Sequence, residues 1–131
     1  MKNEEDVIVV TKPIKIEEGK HEGIITNVLH NLPNEAEGRT YDYLDVVIKI
    51  TDSDNVEVKT GFPANISELS TLGRLLKKAG MDIEKLEEGE KVSVTDIKEK
   101  LVDREITFLS KNEKTSNGEF ARVLKDTIEF S

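Results

Sequence analysis

Cysteine and tryptophan are absent from the 131-residue chain, aromatic residues make up only 5% of it, and apolar runs are short. Without cysteine there is neither a disulfide framework nor a thiolate metal site, so stability has to come from packing. A membrane span needs roughly 18 apolar residues in succession, and no stretch approaches that. Met1 to Asp6 has neither the basic start nor the apolar core of a secretory signal, which predicts an intracellular, cytoplasmic protein without a membrane partner. Positive charge is in deficit. A formal net charge of −8 works against bulk attraction to phosphate or anionic lipid and leaves room only for a local basic groove.

Signatures of catalysis are missing as well. His21 and His30 have no second ligand at helical or turn spacing, so each reads as a surface histidine and no metal is expected. The carboxylates fall in exposed runs, not as one pair in an apolar setting that would separate their pKa values. No serine or threonine has a His-and-acid constellation visible near it, and Gly61 and Gly73 stand singly, without a phosphate-binding loop. The expectation is a protein that is not an enzyme and carries no cofactor.

What is present is an ordered series of amphipathic segments. The length suits one domain. Residues 1–18 read as an N-terminal segment, loose at its acidic start, with Val7 to Val10 forming an edge strand closed by Pro13. Residues 19–131 form the folded domain. Its organising element is a helix over Ser67 to Ala79, in which Leu69, Leu72, Leu75, Leu76 and Ala79 recur at three- and four-residue steps along one face. Asn65, Ser67 or Ser70 can cap its start, Lys77 and Lys78 suit its negative end, and Gly80 can end it.

Three extended segments precede that helix. His21 to Leu29 is a strand with Gly23 at a bulge or sharp coil, and Asn31 to Thr40 is a turn-rich loop. Tyr41 to Ile50 alternates clearly, with Leu44, Val46, Ile48 and Ile50 on one side and Tyr41, Tyr43, Asp45, Val47 and Lys49 on the other. A polar turn over Thr51 to Asn55 leads into Val56 to Phe62, so the two strands form an antiparallel hairpin. After the helix, Met81 to Lys91 reads as a solvated turn or one helical turn. Val92 to Asp103 reads either as a short helix capped by Thr95 or Asp96 and burying Ile97 and Leu101, or as a strand extension through Val92 and Val94. Arg104 to Ser110 and Phe120 to Ile128 are further strands, joined by a hairpin loop over Lys111 to Glu119. On the final strand Phe120, Arg122 and Leu124 share one face and Ala121, Val123 and Lys125 the other, and neither is plainly apolar.

Three strands, a helix and two strands is the order of the oligonucleotide/oligosaccharide-binding (OB) fold, a mainly β, five-stranded Greek-key barrel with a helix between its third and fourth strands. The second short helix would be an addition to it. The sequence also resembles the small phage-type single-stranded-DNA-binding proteins of that fold in three places: HEGIITNV from His21, LGRLLKKAGMD from Leu72, and the closing hairpin REITFLSKNEKTSNGEFARVL from Arg104. The likeness spans Gly19 to Phe130. It departs from the well-known bacterial members in having no tryptophan and no glycine-rich tail with an acidic tip, so tail-mediated recruitment is not carried over.

The resemblance implies single-stranded DNA binding of low sequence specificity in replication or recombination, with replication or recombination proteins as partners. In such a barrel the second and third strands and two loops form the nucleic-acid surface. Tyr41 and Tyr43 point outward about ~7 Å apart, a spacing suited to stacking successive bases. Lys49 and Lys59 lie on the same two strands, while Arg39, Lys111, Lys114 and Arg122 lie in or near the loops, together a basic path. Phe62 and Phe120 are either further platforms or core. RNA stays open, because stacking platforms accept either nucleic acid. The alternative is an acidic protein-interaction module without nucleic-acid binding, docking a basic partner or another copy of itself, in which Glu84 to Glu90 would matter more than the tyrosines.

Overall fold

The first strand, β1 (Gly19–Asn31), is the one on which the sheet is assembled. Residues Gly23 to Asn31 pair antiparallel with β2 (Tyr43–Ile50), and Gly19 to Ile24 pair antiparallel with β4 (Glu105–Thr115) on the opposite edge. The structure is a computed structural model that describes residues 16–32, 42–116 and 118–131. The expected edge strand at Val7 to Val10 and most of the loop at Asn31 to Thr40 lie outside the described residues, as do Arg39 and Tyr41.

One antiparallel sheet contains the strands in the order β3-β2-β1-β4-β5, with β3 as Val56–Pro63 and β5 as Gly118–Val123. A sixth strand, β6 (Glu129–Phe130), pairs with β4. The mainly β expectation therefore holds, and the count of five is corrected by this two-residue addition, too short to leave an alternating pattern. The sheet is open. No ladder joins β3 to β5 among the described residues, although their backbones approach within 8 Å.

Coiling of the sheet centres on Gly23, which pairs with Ile50 on one side and Ile106 on the other. A Cβ there would lie 2.9 Å from Ile48 Cγ2 and 2.9 Å from the Lys49 carbonyl oxygen, so only glycine permits the close approach of β2. The bulge falls just beyond it, between Ile25 and Asn27. The Asp54 and Asn55 backbones take positive φ in the β2–β3 turn, as short polar side chains tolerate.

Inward residues of the sheet meet the helices in one core. Ile25, Val28, Leu44, Val46, Ile48, Ile50, Val58, Phe62, Ile106, Phe108 and Val123 pack with Leu72, Leu75, Leu76, Ile97 and Leu101. The first helix, α1 (Thr71–Lys78), is shorter than the periodicity predicts and begins after Ser70, whose Oγ accepts a hydrogen bond from the Gly73 N–H at 2.9 Å. Leu69 is thereby left in the preceding turn, 85% exposed. The second helix, α2 (Val94–Leu101), settles the choice over residues 92–103 and buries Ile97 and Leu101, but its cap is Ser93, not Thr95 or Asp96. A 3-10 turn at Ile83–Lys85 separates the helices.

Polar ties lock α1 to the end of the chain. The Arg74 guanidinium donates to Asp126 at 2.9 and 3.0 Å, and the Lys78 ammonium donates to the Asp126 and Ile128 carbonyls and pairs with Glu129 at 2.9 Å. Those contacts hold a 3-10 turn (Lys125–Thr127) and β6 where a continuous final strand was expected.

His21 is buried, contrary to its reading as a surface histidine. Its Nδ1 faces Asp52 Oδ1 at 2.9 Å, its Nε2 faces the Glu17 carbonyl, and Phe108 packs alongside. Burial opposes protonation, but the Glu17 carbonyl and the Asp52 carboxylate outweigh it and hold the imidazole above its ordinary 6.5. For Asp52 burial acts in the opposite direction and raises the pKa, yet the hydrogen bonds from His21 and the Glu22 N–H bring it below its ordinary value. A raised folded pKa contributes stability that is complete below the unfolded value and lost as pH rises through the folded value. The stability difference between the parent and His21→Gln in urea unfolding should therefore be larger near about pH 6 than near about pH 9. A difference that does not change with pH would show that the ring is held neutral.

Candidate nucleic-acid interface

Register fixes what the outer face of β1, β2 and β3 presents. Asn31, Tyr43 and Pro63 form one row, Leu29, Asp45 and Gly61 the next, then Asn27, Val47 and Lys59, then Ile24, Lys49 and Glu57. Val47 is only 8% exposed although it points away from the main core, so this face is itself partly apolar and covered by its own neighbours. Such a surface suits flat rings better than an ordinary wet strand face does.

Tyr43 is the half-exposed aromatic on that face, at the start of β2. Its ring leans across the diagonal onto Gly61, where a Cβ would stand 3.5 Å from Tyr43 Cδ2. Absence of a side chain at Gly61 lets the ring settle on bare backbone. In the sequence Gly61 stands singly and marks no phosphate loop; a lone glycine opposite an aromatic on a hairpin was the available signal for this contact. Phe62 alternates to the other side, is fully buried, and so belongs to the core with no face left for a base. Phe120 points outward beside Arg122, half-buried and opposite Glu113.

Cations on the outer face are unequally placed. Lys49 lies half-buried across from Glu57, and Lys59 is exposed on β3. Lys111 and Lys114 lie on β4, not in a loop, because the β4–β5 hairpin continues to Thr115 and Gly118, and the register puts Lys111 on the face of Arg122 and Lys114 on the opposite one. Arg122 Nη1 donates to Glu113 Oε2 at 2.9 Å. The Lys49, Lys59, Lys111 and Lys114 ammonium groups make no ion pair or hydrogen bond among the described residues. Two carboxylates share the face: Asp45 accepts from Asn31 Nδ2 at 2.6 Å, and Glu57 accepts from the Thr26 hydroxyl at 3.4 Å. Asp45 disfavours a phosphate over β2 and Glu57 one at the start of β3, which leaves the stretch of β3 around Lys59 as the better phosphate path.

Elsewhere on the molecule a groove of about 450 Å³ is floored by Ile66, Ile83, Leu86 and Val92 and rimmed by Glu68, Glu84, Glu87, Glu88 and Glu90. Lys77 pairs with Glu84 at its edge. His30 Nε2 stands 3.7 Å from Asp42 Oδ2, and among the described residues no three His, Cys, Asp or Glu side chains gather as metal ligands do. No helix among them is long and apolar enough to cross a membrane. No family model matches the sequence, and no curated protein matches it.

Proposed function

We propose that the protein is a single-stranded-DNA-binding protein of the OB-fold class, binding with little sequence preference in DNA replication or recombination. The observation that carries this reading is the outer face of the β2–β3 hairpin, where the Tyr43 ring lies over Gly61 next to Asp45 and the Lys49 and Lys59 ammonium groups have no ion pair among the described residues. A base stacked on such a ring contributes ~1–3 kcal/mol, and every base has a π-face, so the binding is tolerant of sequence. Phosphate contacts then add a salt-dependent share. The barrel reading is supported by the strand order, by β1 serving both halves of the sheet, and by the approach of β3 to β5, which would be its closing seam. Tyr41 and Arg39 belong to the same proposal as an added platform and cation on the segment entering β2. Lys49, Lys59, Lys111, Lys114 and Arg122 are its phosphate contacts, and Phe120 is its second described platform.

Tyr43→Ala should weaken binding to oligo-dT by ~1–3 kcal/mol, whereas Tyr43→Phe, which keeps the ring, should bind as the parent does. Anisotropy titrations of both variants with urea unfolding as the folding control check this. Parent-like affinity in Tyr43→Ala would take that residue out of the site. A second reading, an acidic module that docks a basic partner, is favoured by the groove with its apolar floor and glutamate rim. It predicts no binding to oligonucleotides at any salt concentration.

A further inference from the structure

We propose that the seam between β3 and β5 is an anion site, which holds a backbone phosphate of the bound single strand between Lys59, Arg122 and Lys125. This rests on the single-strand reading above and adds a residue, Lys125, and a place to it. The cleft has a volume of about 230 Å³, and its lining includes these three cations and no carboxylate.

That composition runs against the chain as a whole, which has 27 acidic and 19 basic residues. Elsewhere Arg74 takes Asp126, Lys77 takes Glu84 and Lys78 takes Glu129, and within the cleft Arg122 alone donates to a carboxylate, Glu113, through Nη1. The Lys59 and Lys125 ammonium groups have neither an ion pair nor a hydrogen bond among the described residues. Asp126, next to Lys125 in sequence, is engaged by the Arg74 guanidinium through two hydrogen bonds.

Lys125 is also positioned. Its ammonium sits 5.3 Å from the centre of the Phe62 ring, a cation–π contact that anchors the side chain at the seam. Burial, and then the neighbouring Arg122 charge, pull its pKa below the ordinary lysine value, with Asp126 opposing. The negative charge of an arriving phosphate would offset both effects by favouring the protonated ammonium. Lys59 and Arg122 each point outward on their own strand, so the cleft adjoins the face carrying Tyr43 and Gly61. A strand whose base stacks on Tyr43 would thus pass its backbone toward β3 and away from Asp45.

The test is anisotropy titration of a labelled 30-nucleotide oligo-dT over a range of salt concentrations, using the full chain with Lys125→Gln, Lys59→Gln and Lys125→Arg. Each Gln variant should lower the slope of log affinity against log salt by about 0.7 and weaken binding about three- to tenfold at low salt. Lys125→Arg should keep the parent slope. Lys59 is exposed, so its variant carries the test even if loss of the Phe62 contact unfolds Lys125→Gln. Parent-like slopes in the folded Gln variants, with Tyr43→Ala still weakened, would overturn the seam while leaving the single-strand reading in place. No binding by the parent would overturn both.

Discussion

Gly73→Ala is expected to lower folding stability by about 2–4 kcal/mol, the opposite of what helix propensity alone gives. In an open helix the same change stabilises by about 1 kcal/mol. At Gly73, however, a Cβ would stand 1.8 Å from the Ser67 carbonyl oxygen, 2.8 Å from its carbon and 2.9 Å from Ser70 Oγ. The glycine has no positive φ to accommodate, so the effect is purely one of space. The turn that crowds it is held by reciprocal bonds: Ser70 Oγ accepts from the Ser67 N–H at 3.0 Å, and Ser67 Oγ accepts from the Ser70 N–H at 3.1 Å. A methyl group must therefore break the α1 cap or lift Leu72, Leu75 and Leu76 of the helix out of the core. Urea unfolding measures the change, and a variant as stable as the parent or more so would show that the serine turn opens at little cost.

Phe62→Ala is expected to cost about 3–5 kcal/mol, through lost burial and the cavity left behind. The ring is among the largest fully buried side chains and packs in the common core, with the Lys125 ammonium over its face. A stacking platform would behave differently, losing affinity for the nucleic acid while stability hardly moved. Phe62→Leu separates the two roles: reduced stability with oligo-dT affinity lowered no more than in Lys125→Gln is expected, and unchanged stability with lost affinity would put the ring back on the surface.

Legibility in the sequence followed the presence of a wet face opposite a dry one. Leu44, Val46, Ile48 and Ile50 alternate against Tyr43, Asp45 and Lys49, so β2 and its hairpin with β3 could be read directly. The distal β4–β5 hairpin could not. Beyond Ser110 it extends past the core, where Lys111, Glu113 and Lys114 are exposed, so polar residues on both faces read as a loop. Leu69 matched the α1 stripe in spacing, but the serine turn takes the chain out of register before Thr71. On β5, Val123 turns inward and Arg122 outward, a choice decided by pairing with Ser110 and Lys111 and not by any apolar pattern of its own.

The candidate site divides along the same line. Tyr43, Lys49 and Lys59 were readable because outwardness follows from alternation within a single hairpin. The same alternation in the sequence placed Phe62 opposite Lys59 and Gly61, and weighing that pattern alone would have assigned it to the core. Gly61, Lys125 and the buried His21 depend on partners distant in sequence. Asp52 lies 31 residues from His21, and Lys125 meets Phe62 only because the final segment folds back beneath α1.

Anisotropy titration of the parent protein with a labelled 30-nucleotide oligo-dT, at low and moderate salt and with a duplex control, tests the central claim most directly, since that length exceeds the ~4–16 nucleotides one OB-fold occupies. Saturable binding to the single strand that weakens as salt rises and is absent for the duplex is the predicted result. No binding to the single strand even at low salt would contradict it and would turn attention to the glutamate-rimmed groove.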